Sequence, residues 1–152
     1  MSFTTLLYHE IRESNSLEEN HPSPIQVKQN YEDLLPPVLF VALENFKEQL
    51  QYLCDHKYHT LTLNEVIDFY YNVKKIPEKS VLISFDDCFQ SLFHYAYPLL
   101  KKYGFHAVAF VVTGWLNDQS KPFDTNHSVC LSKKELNSMT DVFEYANHTH
   151  SF

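Results

Sequence analysis

The spacing of apolar residues changes period along the chain, and each change marks an element. Phe3 to Tyr8 combines β-branched, aromatic and leucine side chains and reads as a first strand. From Glu13 to Pro37 the pattern breaks down into a polar stretch holding four of the seven prolines, a long excursion of the kind that often lies near function. Between Leu43 and His56, apolar Leu43, Phe46, Leu50, Leu53 and Cys54 recur at three- and four-residue steps, which predicts one apolar face of a helix lying against a sheet. A short strand at His59 to Leu61 precedes Thr62-Leu63-Asn64-Glu65, a capping box that opens a second helix ending near Asn72.

Val81-Leu82-Ile83-Ser84-Phe85 is short and nearly all apolar, as expected of a parallel strand covered on both faces, and it stops at two adjacent aspartates. A helix from about Leu92 to Tyr103, a buried strand Ala107 to Val112 and a loop around Trp115 to His127 follow. Ser132-Lys133-Lys134-Glu135 is a second capping box, and Val142 to Ala146 reads as a strand that runs into Asn147-His148-Thr149-His150. Strands alternating with helices imply a parallel sheet flanked by helices, whose site lies at the C-terminal strand ends. Asp86 and Asp87 leave one strand there and His148 leaves another, so residues about sixty positions apart can meet on one rim.

Composition narrows the picture. A length of 152 residues and 44% hydrophobic content suit one domain with a real core. A formal charge of −7 disfavours a nucleic-acid partner, which would need clustered Lys and Arg. Two glycines, Gly104 and Gly114, leave no glycine-rich phosphate loop. Cys54, Cys88 and Cys130 are odd in number and lack CxxC spacing, which points to free thiols. Met1 to Leu7 has no secretory pattern, and no stretch reaches the roughly 18 apolar residues of a membrane span. The expected location is cytoplasmic for the chain as it stands, and extracellular or cell-surface if a leader was removed.

Two consecutive carboxylates leaving a strand point in different directions, so one can bind a metal while the other handles a proton. Imidazole and carboxylate together suit Zn²⁺ or a similar divalent ion, and two protein ligands, Asp87 and His148, can be counted. Standing alone, Asp-Asp after a strand is most often a solvated turn, and His148 and His150 alternate like surface strand residues. An unrelated metal phosphohydrolase is a third reading, weakened because Lys101 and Lys102 lie at the far end of their helix.

Ser84-Phe85-Asp86-Asp87 resembles the (T/S)FDDG motif of the NodB-homology polysaccharide deacetylases, carbohydrate esterase family 4. Leu7-Tyr8-His9 resembles their opening strand, and Glu44 to Leu50, Tyr58 and Thr60 to Leu63 are similar to a further family segment. Pro98-Leu99-Leu100, Tyr103-Gly104 and Ala107 to Val112 extend the likeness over essentially the whole chain. The second motif, His148-Thr149-His150-Ser151, looks most like that of the poly-N-acetylglucosamine deacetylases of biofilm systems.

The resemblance implies an incomplete (β/α) barrel of the NodB-homology type over residues 1–152, ending after the second motif. It implies Asp86 as general base, Asp87 as metal ligand and His148 as the first histidine ligand, of a divalent metal for which the ligand chemistry points to zinc. The activity it implies is removal of N-acetyl groups from poly-N-acetylglucosamine, chitin or peptidoglycan, by hydrolysis that releases acetate. In the commoner spacing the second histidine would fall at Phe152, which cannot bind a metal; in the biofilm branch it would fall one position further on. The later family motifs have no counterpart here, so the alternative is an inactive carbohydrate-binding relic. Too few strands to close a barrel leave an open edge for a second copy or partner to cover. Cys88 stands where the family motif has glycine, a position expected to strain the turn or, less simply, to add a thiol to the site. His9 leaves the first strand on the site's side.

Overall fold

The computed structural model describes residues 2–14 and 23–151. In chain order the strands begin with β1 (Thr4–Tyr8), β2 (Glu10–Arg12), β3 (Ser23–Gln26), β4 (Leu34–Leu35) and β5 (Phe40–Ala42). Helix α1 (Leu43–Asp55), strand β6 (His59–Thr60), helix α2 (Leu63–Tyr71) and strand β7 (Ser80–Asp86) follow. The remainder is α3 (Tyr97–Tyr103), β8 (Ala107–Val112), β9 (Ser128–Val129), α4 (Lys133–Ser138) and β10 (Phe143–Thr149).

Both capping boxes form as the sequence requires. The Thr62 hydroxyl accepts from the Glu65 backbone N–H while the Glu65 carboxylate accepts from Thr62 N, and Ser132 and Glu135 repeat the arrangement. The helix expected from Leu92 is a compound one. Residues Leu92–Ala96 make a wide turn, with Tyr97 N bonded to Leu92 O, before α3 begins. Pro98 supplies the reason: it has no N–H to give and its ring crowds the carbonyl four residues back, so the chain widens just ahead of it.

The main sheet runs β1-β7-β8-β10, all parallel, with β6 joined to the start of β7. Strand alternation gives each of its faces a distinct set of side chains. Tyr8, Ile83, Phe85, Ala109 and Phe143 pack under α1 and α3 against Phe46, Leu50, Leu92 and Leu100, with the Tyr8, Phe46, Phe85 and Phe143 rings 5.2–5.7 Å apart in successive pairs, Tyr8–Phe46, Tyr8–Phe85 and Phe85–Phe143. The opposite face is only partly covered: Thr5 and Leu7 are exposed and Leu82 and Phe110 half-buried. The expectation that β7 is covered on both faces therefore holds for one. Cys54, expected on the apolar face of α1, is exposed.

Short strands that no periodicity announces tie down the excursion. β2 pairs with β5, and β3 lies between β4 and β9. Beneath them Glu10 and Arg12 are buried: Ser128 Oγ donates to Glu10 Oε2 at 2.5 Å, Arg12 Nη2 donates to Ser23 Oγ at 2.7 Å, and the Arg12 guanidinium lies 4.8 Å from the Phe40 ring centre. The rest of the excursion, residues 15–22, lies outside the described residues. Among the described residues the sheet does not close into a barrel, and no helix is long and apolar enough to cross a membrane.

Candidate active site

β7 is hydrogen-bonded to a neighbour on each side, which holds its C-terminal end rigidly. Ile83 and Phe85 point into the core, so Ser84 and Asp86 point to the open face. There Asp86 lines a cavity of about 400 Å³ with Thr5, Leu7, Phe110, Asn147 and His148. Two imidazoles converge on it. His148 Nε2 lies 3.5 Å from Asp86 Oδ2 and His9 Nε2 lies 3.8 Å from the same oxygen.

After Asp86 the chain turns through two consecutive residues in the left-handed region, Asp87 at φ 68° and Cys88 at φ 58°. Aspartate is among the side chains that tolerate this region; cysteine is not. The turn is nevertheless tightly held. Asp87 N donates to Phe110 O at 3.1 Å, Leu131 N donates to Cys88 O at 3.0 Å, and Cys130 Sγ contacts Asp87 O at 3.2 Å. Cys88 thus adopts the glycine-like conformation and buries its thiol completely, 3.8 Å from Phe110 O. Burial, reinforced by Asp87 and Asp86, drives the Cys88 thiol pKa far up, which leaves it a neutral core side chain.

Asp87 itself is 6% exposed, and its Oδ1 receives no hydrogen bond among the described residues. Burial raises its pKa, while His9 and then His148 pull it down and Asp86 pushes it up. A buried carboxylate oxygen without a donor, near two imidazoles, is what a cation ligand looks like before the cation arrives. Asp87 and His148 fit a divalent ion as oxygen and nitrogen donors. Among the described residues, no group of three or more His, Cys, Asp and Glu side chains is gathered as a complete cation site would need.

The second motif sits inside a strand. β10 extends through Thr149, three residues beyond the expected end, and its pairing with β8 slips between Asn147 and Thr149, so His148 is the extra residue of a β-bulge. His150 is exposed and turned to Thr113, with Nδ1 3.0 Å from Thr113 Oγ1. His94 stacks on Phe123 at 4.1 Å, and His106 bonds Glu144 at 2.8 Å, both away from Asp86. His9 is the residue the motifs undervalue, and its signal was its place one step past the first strand. Phe152 lies outside the described residues.

A family model described as polysaccharide deacetylase matches residues 73–152, just over half of the chain. The poly-β-1,6-N-acetyl-D-glucosamine N-deacetylases of Staphylococcus aureus and Staphylococcus epidermidis are each 34% identical over 155 residues, a match covering 98% of this chain and 48% of theirs. The chain therefore spans about half the length of these relatives. The Streptococcus pyogenes deacetylase PplD, solved with acetate, superposes with a TM-score of 0.74 at 25% identity, covering 98% of this chain and 57% of that one. IcaB from Ammonifex degensii, at 19% identity and a TM-score of 0.60 over 97% of this chain and 55% of its own, shares the fold.

Proposed function

The chain belongs to the polysaccharide deacetylase family, and from that premise we propose that it forms the acid–base and metal-binding half of an N-deacetylase acting on β-1,6-linked poly-N-acetylglucosamine. The observation that carries this reading is the convergence on one strand end of Asp86, faced by His148 and His9 at 3.5 and 3.8 Å, beside the buried, undonated Oδ1 of Asp87. The choice of glycan rests on the Staphylococcus relatives.

Asp87 and His148 would hold a divalent ion, and the mixed oxygen and nitrogen donors favour zinc. When bound, such an ion polarises the amide carbonyl and lowers the pKa of water at the site. The chain's own residues divide the proton handling. Asp86 is partly exposed and lines the cavity, so its Oδ2 would take the proton from the water that attacks the acetamide carbon. His9, whose Nε2 lies 3.8 Å from Asp86 Oδ2, is the group that would return a proton to the departing amine nitrogen. Water adds across the C–N bond, which breaks to acetate and a free glucosamine amine. Leu7 and Phe110 supply apolar walls that suit an acetyl methyl group.

Acetate release from short β-1,6-linked N-acetylglucosamine oligomers, with and without added Zn²⁺, tests the proposal. Turnover that disappears in Asp86→Asn supports it. Glycan binding without turnover under all conditions would favour a second reading, a non-catalytic glycan-binding domain, which draws on the two-donor set described above. A well-folded sample that neither binds metal nor releases acetate would sink the catalytic reading.

A further inference from the structure

His148 faces Asp86 from a β-bulge in β10, and the bulge is held from outside the strand. Up to Asn147, β10 pairs residue for residue with β8, Asn147 opposite Val111; the next pair is Thr149 opposite Val112, with His148 left over. An extra residue of this kind is re-aimed by the local kink. Beyond that pair, two backbone bonds take over: Thr113 N donates to Thr149 O at 3.0 Å and Gly114 N donates to His150 O at 2.9 Å. Thr113 Oγ1 adds the contact with the His150 ring at 3.0 Å.

Gly114 makes this seat possible by lacking a side chain. A Cβ there would lie 2.4 Å from the His150 backbone oxygen and 3.3 Å from its ring Cε1, and a backbone carbonyl cannot move without carrying the chain on either side of it. The torsion does not explain the glycine, because Gly104 is the glycine with positive φ. Gly104, at φ 67°, is the opposite case: its conformation suits glycine, yet a Cβ would meet nothing within 4 Å. The two glycines of this chain thus do different work, one setting a helix end and the other admitting a neighbouring strand.

From this we infer that Gly114 is a positioning residue for His148: by letting the end of β10 dock against the turn after β8, it holds the bulge that presents the His148 imidazole to Asp86. The inference rests on the proposed site and deepens it. Pressing the His150 carbonyl outward displaces residues 148–150 while leaving the core under α1 and α3 untouched.

The experiment compares Gly114→Ala with Gly104→Ala in the full chain, using Zn²⁺ affinity by titration calorimetry and the ¹H–¹⁵N resonances of the His148 ring. Gly114→Ala is expected to weaken Zn²⁺ binding by roughly 10- to 100-fold, as supporting groups around ligands typically do, and to shift the His148 ring resonances. Gly104→Ala should lower the unfolding midpoint while leaving both readouts as in the parent. Parent-like affinity and unshifted His148 resonances in Gly114→Ala would overturn the inference. If the parent itself binds no Zn²⁺, the metal reading falls, and the His148 resonances alone decide the role of Gly114. Should Gly114→Ala not fold, amide hydrogen exchange in the parent decides: the Thr113 and Gly114 N–H groups should exchange slowly because they donate to Thr149 O and His150 O, and unprotected exchange at both would show that the end of β10 is not seated there and overturn the inference.

Discussion

β7 and β10 deliver residues to the same rim by opposite means. β7 is an inner strand, and the turn after it is buried, with Asp87 and Cys88 locked by bonds to Phe110 and Leu131 and by the Cys130 thiol. Among the described residues β10 pairs only with β8; it bulges at His148, and Asn147, His148 and the following His150 are exposed. The acidic half of the site is therefore built into the core, and the imidazole half leans on a few backbone contacts at a sheet edge. Substitutions near the end of β7 should change stability, and those near the end of β10 should change binding with stability intact.

The largest expected effect is at Phe85, fully buried one residue before Asp86 and in ring contact with Tyr8, Phe46 and Phe143. Phe85→Ala should cost about 3–5 kcal/mol in urea unfolding. Asp87→Asn comes next, with opposite signs in two measurements. It removes a buried charge with no donor on Oδ1, so the metal-free protein should gain on the order of 1 kcal/mol at neutral pH, while Zn²⁺ binding is lost. A loss of stability on Asp87→Asn would mean that the turn draws strength from the charge, and the contrast between the strand ends would blur.

The pH dependence follows from Glu10, the buried residue just after His9. Its pKa is raised chiefly by burial, with Arg12 and Ser128 acting the other way. A raised folded pKa means the native state holds the proton more tightly than the unfolded chain does. The associated stability is full below the ordinary value of 4.5 and is lost as pH rises through the higher folded value. The contribution of Glu10 to the urea midpoint should therefore fall on raising the pH from 4.5, and the difference in midpoint between the parent and Glu10→Gln should change with pH in that sense.

Cys88→Gly sets two small terms against each other. Relief of a left-handed torsion contributes about 1 kcal/mol, and loss of a buried thiol costs a similar amount, so the net change should stay within about 1 kcal/mol. A gain well beyond that would show that the turn is more strained than its hydrogen bonds suggest. The smallest effect on stability belongs to His148→Ala, expected within about 0.5 kcal/mol because the site is exposed, with Zn²⁺ binding abolished all the same.

Much of the architecture could be read directly from the residues. α1, α2, the strand Ala107–Val112 and both capping boxes stand where periodicity and capping chemistry place them. β2, β3, β4, β5 and β9 were not legible, since strands of two to four residues exist only by virtue of their partners. Coverage of β7 on one face rather than two was equally hidden, because an apolar run says how much can be buried, not what there is to bury it.

The sequence by itself determined the alternation of main-sheet strands with helices, where two helices begin, and that two carboxylates leave one strand while a histidine motif follows another. These depend on hydrogen bonds and side-chain spacing within a few residues. Tertiary structure alone decided that Cys88 takes a left-handed turn without leaving the core, that His9 joins Asp86, that β10 runs through its histidine motif, and that a bulge seated on Gly114 aims His148. Each of those outcomes depends on a second segment distant in sequence, whose register and close approach no local pattern encodes.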